Sequence, residues 1–232
     1  MAYWHRGDQK MIPKYTIAFI VVISAIVLFS ILGNNPPDGN YLTGYQTVPS
    51  IVEIVTVQSY ECNFTLSEGW NLVSFFCLGM LNNRGRVMQS INGNYSMIFR
   101  YDAFDSDDPW KSYNPNLPSW TIQQVPYMDR LSGYYIYMIE NSSFYYNGTK
   151  KYTYIPLKSG WNLIGYPRVI NSSINDAFSN ISYNKIKTLD EATGDYIFYT
   201  VNGSSNTLTI ARPYEAYWIN STASQTWIIT AE

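Results

Sequence analysis

The residues best suited to chemistry in this chain are carboxylates. Asp102, Asp105, Asp107 and Asp108 crowd into the stretch DAFDSDD. An oxygen-rich loop of that kind can ligate calcium, and a pair of carboxylates at a fixed separation can cleave a glycosidic bond. Neither pattern is specific here. The stretch lacks the glycine and terminal glutamate of an EF-hand, and the corresponding later stretch keeps only Asp190, Glu191 and Asp195. A solvated acidic turn is the expected reading, with a carboxylate-based glycan hydrolase the less favoured one. Other chemistries are removed by composition. The single histidine is His5, ahead of a long apolar run, so no Ser-His or Cys-His pair and no His-based zinc site is available beyond that run. Cys62 and Cys77 are the only cysteines, too few for a structural zinc site; a disulfide or a pair of buried thiols both fit them. No phosphate-cradling glycine loop appears. The chain is therefore expected to be no enzyme, with no catalytic residue, no cofactor and no metal site assigned.

These residues must be positioned by a chain of unusual make-up. Only 14% of it is charged while 17% is aromatic, with 22 tyrosines, and its net charge of -2 argues against a nucleic-acid partner. From Tyr15 to Gly33 the sequence YTIAFIVVISAIVLFSILG holds no charge, long enough for a helix to span a bilayer. A cleaved signal peptide competes, but its apolar core is shorter and Ile31-Leu32-Gly33 makes a poor cleavage site. Pilin-type cleavage after Gly7 is disfavoured by the charges of Asp8, Lys10 and Lys14. Arg6, Lys10 and Lys14 precede the run and no Lys or Arg follows until Arg84, which places the N-terminus in the cytoplasm and the remainder outside. Asn-x-Ser/Thr acceptors at Asn63, Asn94, Asn141, Asn147, Asn171, Asn180, Asn202 and Asn220 are spread over that remainder, as on a glycoprotein.

Beyond the run the sequence repeats itself. NFTLSEGWNLVSF aligns with YIPLKSGWNLIGY, matching Leu66 to Leu157, Trp70 to Trp161 and Leu72 to Leu163. Downstream, Ile91 falls against Ile181, Asp102 against Asp190, Trp110 against Tyr196, Tyr113 against Tyr199, Arg130 against Arg212 and Tyr135 against Tyr217. Alternating aromatic and β-branched residues predict short strands throughout. SSINDAFSNI is the exception: Ser172 or Ser173 can cap a short helix presenting Ile174, Ala177, Phe178 and Ile181 on one face. The expected organisation is a cytoplasmic tail (1–14), a transmembrane helix (15–33), a spacer with an extra strand (34–60), and two tandem homologous, mainly β modules (61–148 and 149–232), each with one short helix. The shared Gly-Trp-Asn-Leu word is expected to follow a hairpin turn, its Trp plugging a small core and its Asn bonding turn backbone. Tyr134, Tyr135, Tyr137, Tyr145 and Tyr146 are candidates for an exposed, partner-binding row.

The motifs GWNLVS at Gly69 to Ser74 and GWNLIGYP at Gly160 to Pro167, with Tyr101, Asp102, Trp110, Tyr113 and Pro115 between and closings at Gly133 to Ile136 and Ala216 to Ile219, resemble a repeat of archaeal cell-surface and secreted proteins. The likeness spans roughly residues 61–230; in the second repeat Tyr196 replaces the Trp and Glu215-Ala216 stand where glycine is usual. The resemblance implies surface β modules without an assigned reaction. The expected role is a non-catalytic, membrane-anchored structural or interaction protein of the cell surface, meeting a protein or glycan partner. The alternative is an accessory subunit of a membrane complex or surface appendage.

Overall fold

A computed structural model describes residues 16–17, 57–149 and 153–229. It is mainly β, built from several small antiparallel sheets. The span expected to cross a bilayer lies outside the described residues apart from β1 (Thr16–Ile17), which pairs with Val57 and Gln58. The cytoplasmic tail, and the spacer as far as residue 56, also lie outside them. Among the described residues no helix is long and apolar enough to cross a membrane.

The elements of the first half run β2 (Val57–Leu66), β3 (Gly69–Val73), β4 (Asn82–Asn83), α1 (Arg84–Val87), β5 (Tyr95–Tyr101), β6 (Trp110–Tyr113), β7 (Tyr127–Met128), β8 (Tyr134–Met138) and β9 (Ser142–Thr149). Those of the second run β10 (Thr153–Leu157), β11 (Gly160–Gly165), β12 (Ser172–Ser173), α2 (Ile174–Ala177), β13 (Tyr183–Leu189), β14 (Tyr196–Thr200), β15 (Ile210–Ala211), β16 (Ala216–Ser221) and β17 (Gln225–Ile229). Pairing follows the same scheme twice. A four-stranded sheet β3-β8-β5-β6 matches β11-β16-β13-β14, ribbon β2-β9 matches β10-β17, and the small pair β4-β7 matches β12-β15. Even the irregularity between Tyr95 and Met97 recurs between Tyr183 and Lys185. The ladders set Ile98 with Ile136 and Ile186 with Ile219, which fixes the correspondence of residues.

Each half buries one core between its four-stranded sheet, its ribbon and its short helix. In the second half Ser173 caps α2 by accepting from the Asp176 N–H, and Ile174, Ala177, Phe178 and Ile181 turn inward, as their spacing predicts. The turn entering β3 needs Gly69 at φ 92° and that entering β11 needs Gly160 at φ 97°, conformations an L side chain resists. Asn71 then locks its turn: its Nδ2 donates to the carbonyls of Ser67 and Gly69, and its Oδ1 accepts from the Ser67 N–H. Asn162 makes the same three bonds with Lys158 and Gly160.

Three expectations are corrected. The glycine turn is no hairpin: β2 pairs with β9 and β3 with β8, so the turn is a corner carrying the chain from one sheet to another. The repeated tryptophans are no core plugs, since Trp70 is 49% and Trp161 37% exposed; strand alternation that buries Asn71 sends Trp70 to the opposite face. The aromatic plugs are Phe144 and Trp227, equivalent to each other through their pairing with Phe64 and Ile155. Finally, Tyr217 corresponds to Tyr134, not Tyr135. A slip of one residue exchanges the faces of a strand, and the buried pair is Tyr134 and Tyr217, whose hydroxyls accept the Asp129 and Arg212 backbone N–H groups.

The halves meet by the outward faces of their four-stranded sheets, around an approximate two-fold axis. Val73 bridges Glu215, and the corresponding Ile164 bridges Ser132. The Ser74 N–H donates to the Tyr214 carbonyl at 2.7 Å, and the Gly165 N–H to the Leu131 carbonyl at 2.8 Å. The apolar cluster at the junction holds Leu72 with Leu163 and sets Tyr101, Tyr135 and Leu189 against Ala216 and Trp218. A β-carbon at Gly133 would lie 2.7 Å from that of its counterpart Ala216, so only one of the two positions can carry a side chain.

Candidate functional site

The strands of the two four-stranded sheets contain no Asp or Glu, and their outward faces are dominated by rings. Alternation places Trp70, Phe99, Tyr101, Trp110, Tyr135 and Tyr137 outward on the first sheet, and Trp161, Tyr196, Phe198 and Trp218 outward on the second. Ring contacts run without a break across the junction. Tyr137 lies 5.1 Å from Trp70, Trp70 5.9 Å from Phe99, Phe99 6.3 Å from Trp110, Trp110 5.8 Å from Trp218 and Trp218 6.3 Å from Trp161. Most of these pairs are edge-on or tilted, as the ring quadrupole favours. Trp218 is nearly buried at the centre, while Trp70, Trp110, Tyr137, Trp161 and Tyr196 stay substantially exposed.

Hydrogen bonds fix the middle of this seam. The Trp218 indole N–H donates to the Tyr135 hydroxyl at 2.6 Å, and that hydroxyl also meets the hydroxyl of Tyr196. Burial pushes the Tyr135 phenol well above its ordinary range, with the Tyr196 contact adding to the effect. It is a neutral group here.

Two lysines share the outward face. Lys187 holds its ammonium 4.3 Å from the Tyr196 ring centre, 5.1 Å from Trp161 and 5.7 Å from Trp218. Lys185 sits 4.1 Å over Phe198. Among the described residues neither has a carboxylate within ion-pair distance, whereas the other two cations of these strands do: Arg100 pairs with Asp102 and Asp129, and Lys111 with Asp105 and Asp108. Burial, then the neighbouring charge of Lys185, holds the Lys187 pKa below the usual lysine value.

The acidic stretch is occupied with its own loop. Asp102 accepts from the Phe104 N–H, Asp105 Oδ1 from the Asp107 and Asp108 N–H groups and its Oδ2 from Lys111, and Asp108 Oδ2 from both Lys111 and Gln124. Among the described residues no group of three or more His, Cys, Asp or Glu is placed to hold a metal ion. A cavity of about 180 Å³ lies beside this loop at the junction, lined by Arg100, Asp129 and Asn162; the Asp129 Oδ1 accepts from the Leu131 and Ser132 N–H groups, and its Oδ2 pairs with Arg100.

Cys62 and Cys77 are joined in a disulfide and fully buried, tying β2 to the chain after β3. Of the acceptor asparagines, Asn63, Asn141, Asn147, Asn171, Asn180 and Asn202 are exposed; Asn94 and Asn180 commit their side-chain N–H to Ser142 and Ile228. The Asn141 Oδ1 accepts from the Glu68 N–H, and Asn220 is part-buried beside its cross-strand neighbour Trp161. Of the candidate tyrosine row, Tyr134 is buried, Tyr135 is half-buried at the junction, and Tyr137 and Tyr145 are exposed, with Tyr146 partly so. The seam is hidden in the sequence because the repeated Trp reads as core; the acid-free strand pattern that carries Lys185 and Lys187 is the available signal.

No known protein family, curated protein or solved structure matches the chain.

Proposed function

We propose that this chain is a non-catalytic structural or interaction element of the cell surface, anchored by its N-terminal apolar segment and exposing two tandem copies of one β module outside the membrane. The observation that carries the reading is the twice-used strand scheme, packed about an approximate two-fold axis with its exposed rings joined into one face. The joined sheets present an aromatic face whose strands carry no acid, and exposed aromatic residues are favoured at binding faces. The acidic loop spends its carboxylates on its own backbone and lysine, which accords with a solvated turn in place of a hydrolytic pair. The Cys62–Cys77 bridge suits an oxidising exterior. The resemblance to archaeal surface repeats points the same way.

An accessory role in a membrane complex is favoured by a different feature, the loop carrying Leu117, Trp120 and Ile122, of which Trp120 is 83% and Ile122 90% exposed. Native pull-down in mild detergent distinguishes the two. A stoichiometric set of membrane partners supports the accessory reading, and recovery of surface-layer material the structural one. Peptide mapping of the native protein without reduction tests the exterior location common to both. A linked Cys62–Cys77 peptide with glycan on exposed acceptors such as Asn147, Asn171 or Asn202 is expected, and free thiols with bare asparagines would refute it.

A further inference from the structure

The geometry points to the aromatic seam as a binding site for an acidic polysaccharide, one whose sugars carry carboxylates, with Trp161, Trp70 and Trp110 as stacking platforms and Lys187 as the carboxylate contact. This deepens the proposed role by naming the partner of the shared face and rests on that reading of the chain as a binding element.

Three features converge on this ligand. Flat indole faces carry negative π density, and the C–H-bearing face of a pyranose is weakly positive, so sugars stack on tryptophan without needing a complementary hydrogen-bond code. The seam offers exposed indoles at Trp70, Trp110 and Trp161, each at least 37% exposed. Charge then selects among sugars. The eight strands of these two sheets hold no acidic residue, and of their four cations only Lys185 and Lys187 lack a carboxylate partner among the described residues. A carboxylate arriving over the middle of this face meets these two cations and no acid on the strands beneath, the acids Asp190, Glu191 and Asp195 standing in the hairpin at the end of β13 and β14.

Neutral polar side chains also border the rings: Asn220 pairs across the strands with Trp161, and Ser112 with Phe99. These give a saccharide hydroxyl both donors and acceptors. Single-stranded nucleic acid also stacks on rings, but it demands a basic track along a phosphate backbone. Two lysines on a chain of net charge -2 do not provide one.

The test uses the purified full-length chain in mild detergent, titrated with oligogalacturonate, a neutral gluco-oligosaccharide of equal length, and oligo(dT), followed by tryptophan fluorescence and calorimetry. Oligogalacturonate is expected to bind about tenfold more tightly than the neutral oligosaccharide, on the scale of one contact to a desolvated cation. Lys187→Met is expected to erase that preference, Lys187→Arg to retain it, and Trp161→Ala or Trp70→Ala to weaken binding by about tenfold, as for loss of one stacking ring. Trp120→Ala, off the seam, should change nothing. Both seam tryptophans are partly exposed, and near-ultraviolet circular dichroism of each variant checks that the fold survives. Absence of binding, equal affinity for the acidic and neutral oligosaccharides, indifference to Trp161→Ala, or tighter binding of oligo(dT) would each overturn the site. Because the titration is made on isolated protein, its failure leaves the surface location standing, and misplacement of the chain in the cell would not alter its outcome.

Discussion

The two halves place the same stretch of backbone at Gly133 and Ala216, yet only one of the pair carries a β-carbon, because the two positions face each other across the junction. The cores behave differently. There, equivalent positions never meet, and they exchange one hydrophobe for another: Phe144 for Trp227, Phe64 for Ile155, and Ile98 and Ile186 alike. At the junction the equivalents touch, and they differ in complementary ways. Gly133 accommodates Ala216, the Tyr135 hydroxyl accepts from the Trp218 indole, and Ser74 meets Gly165. A symmetric dimer must put identical residues at its axis; two copies on one chain are free of that constraint. The second half also replaces the disulfide, with Thr153 at the ladder position of Cys62, its hydroxyl accepting from Arg130.

The largest test of that contrast is the disulfide. Replacing Cys62 and Cys77 by serine, a bridge spanning a sequence separation of 15, should cost about 3 kcal/mol. Hydrogen exchange should show the loss in amides around Ile98 and Ile136, with those around Ile186 and Ile219 less affected; equal loss in both halves would mean that the junction makes them one cooperative unit. Next is the axis. Gly133→Ala should cost about 1–3 kcal/mol by overpacking against both Ala216 and Leu163, and adding Ala216→Gly in the same chain should return the share due to Ala216 in a denaturant melt. Additive costs would break the two-fold description. The turn locks sharpen the likeness instead of the difference. Asn71→Ala and Asn162→Ala should each cost about 1–2 kcal/mol and agree closely, since the two side chains make the same three bonds.

The smallest expected effect is the pH dependence that Glu215 adds in the second half. Burial raises the Glu215 carboxyl above its ordinary range, against the opposing influence of the Tyr217 hydroxyl and Arg212; the first half has Ser132 at this place. A raised folded pKa means that the folded state holds the proton more tightly. Its contribution is complete below the ordinary carboxylate range and is lost as pH rises through the raised value. Glu215→Gln should flatten that part of a stability-against-pH curve, leaving only the share of Asp129, also raised by burial.

Much of the β architecture is legible in the sequence. The alignment of Asp102 with Asp190, Trp110 with Tyr196 and Tyr113 with Tyr199 matches the ladders, because strand pairs of equal length transmit register faithfully. Gly69, Gly160, Asn71 and Asn162 are readable because their roles are local to a turn. The closing strand is misaligned by one residue because identical arginines at 130 and 212 suggest the wrong register, and only the buried hydroxyls of Tyr134 and Tyr217 correct it. The outward turn of Trp70 is hidden for a related reason. Periodicity of two says that Trp70 and Asn71 lie on opposite faces, but it does not say which face is buried, and the preference of tryptophan for burial is overridden by a buried Asn that satisfies all its turn bonds. The seam itself joins residues far apart in sequence across a junction, which no local pattern encodes.

The account depends most on the described halves standing outside the membrane. Treatment of intact cells with an impermeant protease, followed by detection of a tag at the N-terminus, tests this directly. The tagged chain is expected to shorten to a membrane-bound stub while cells remain intact; a full-length chain cleaved only after lysis would refute the exterior placement.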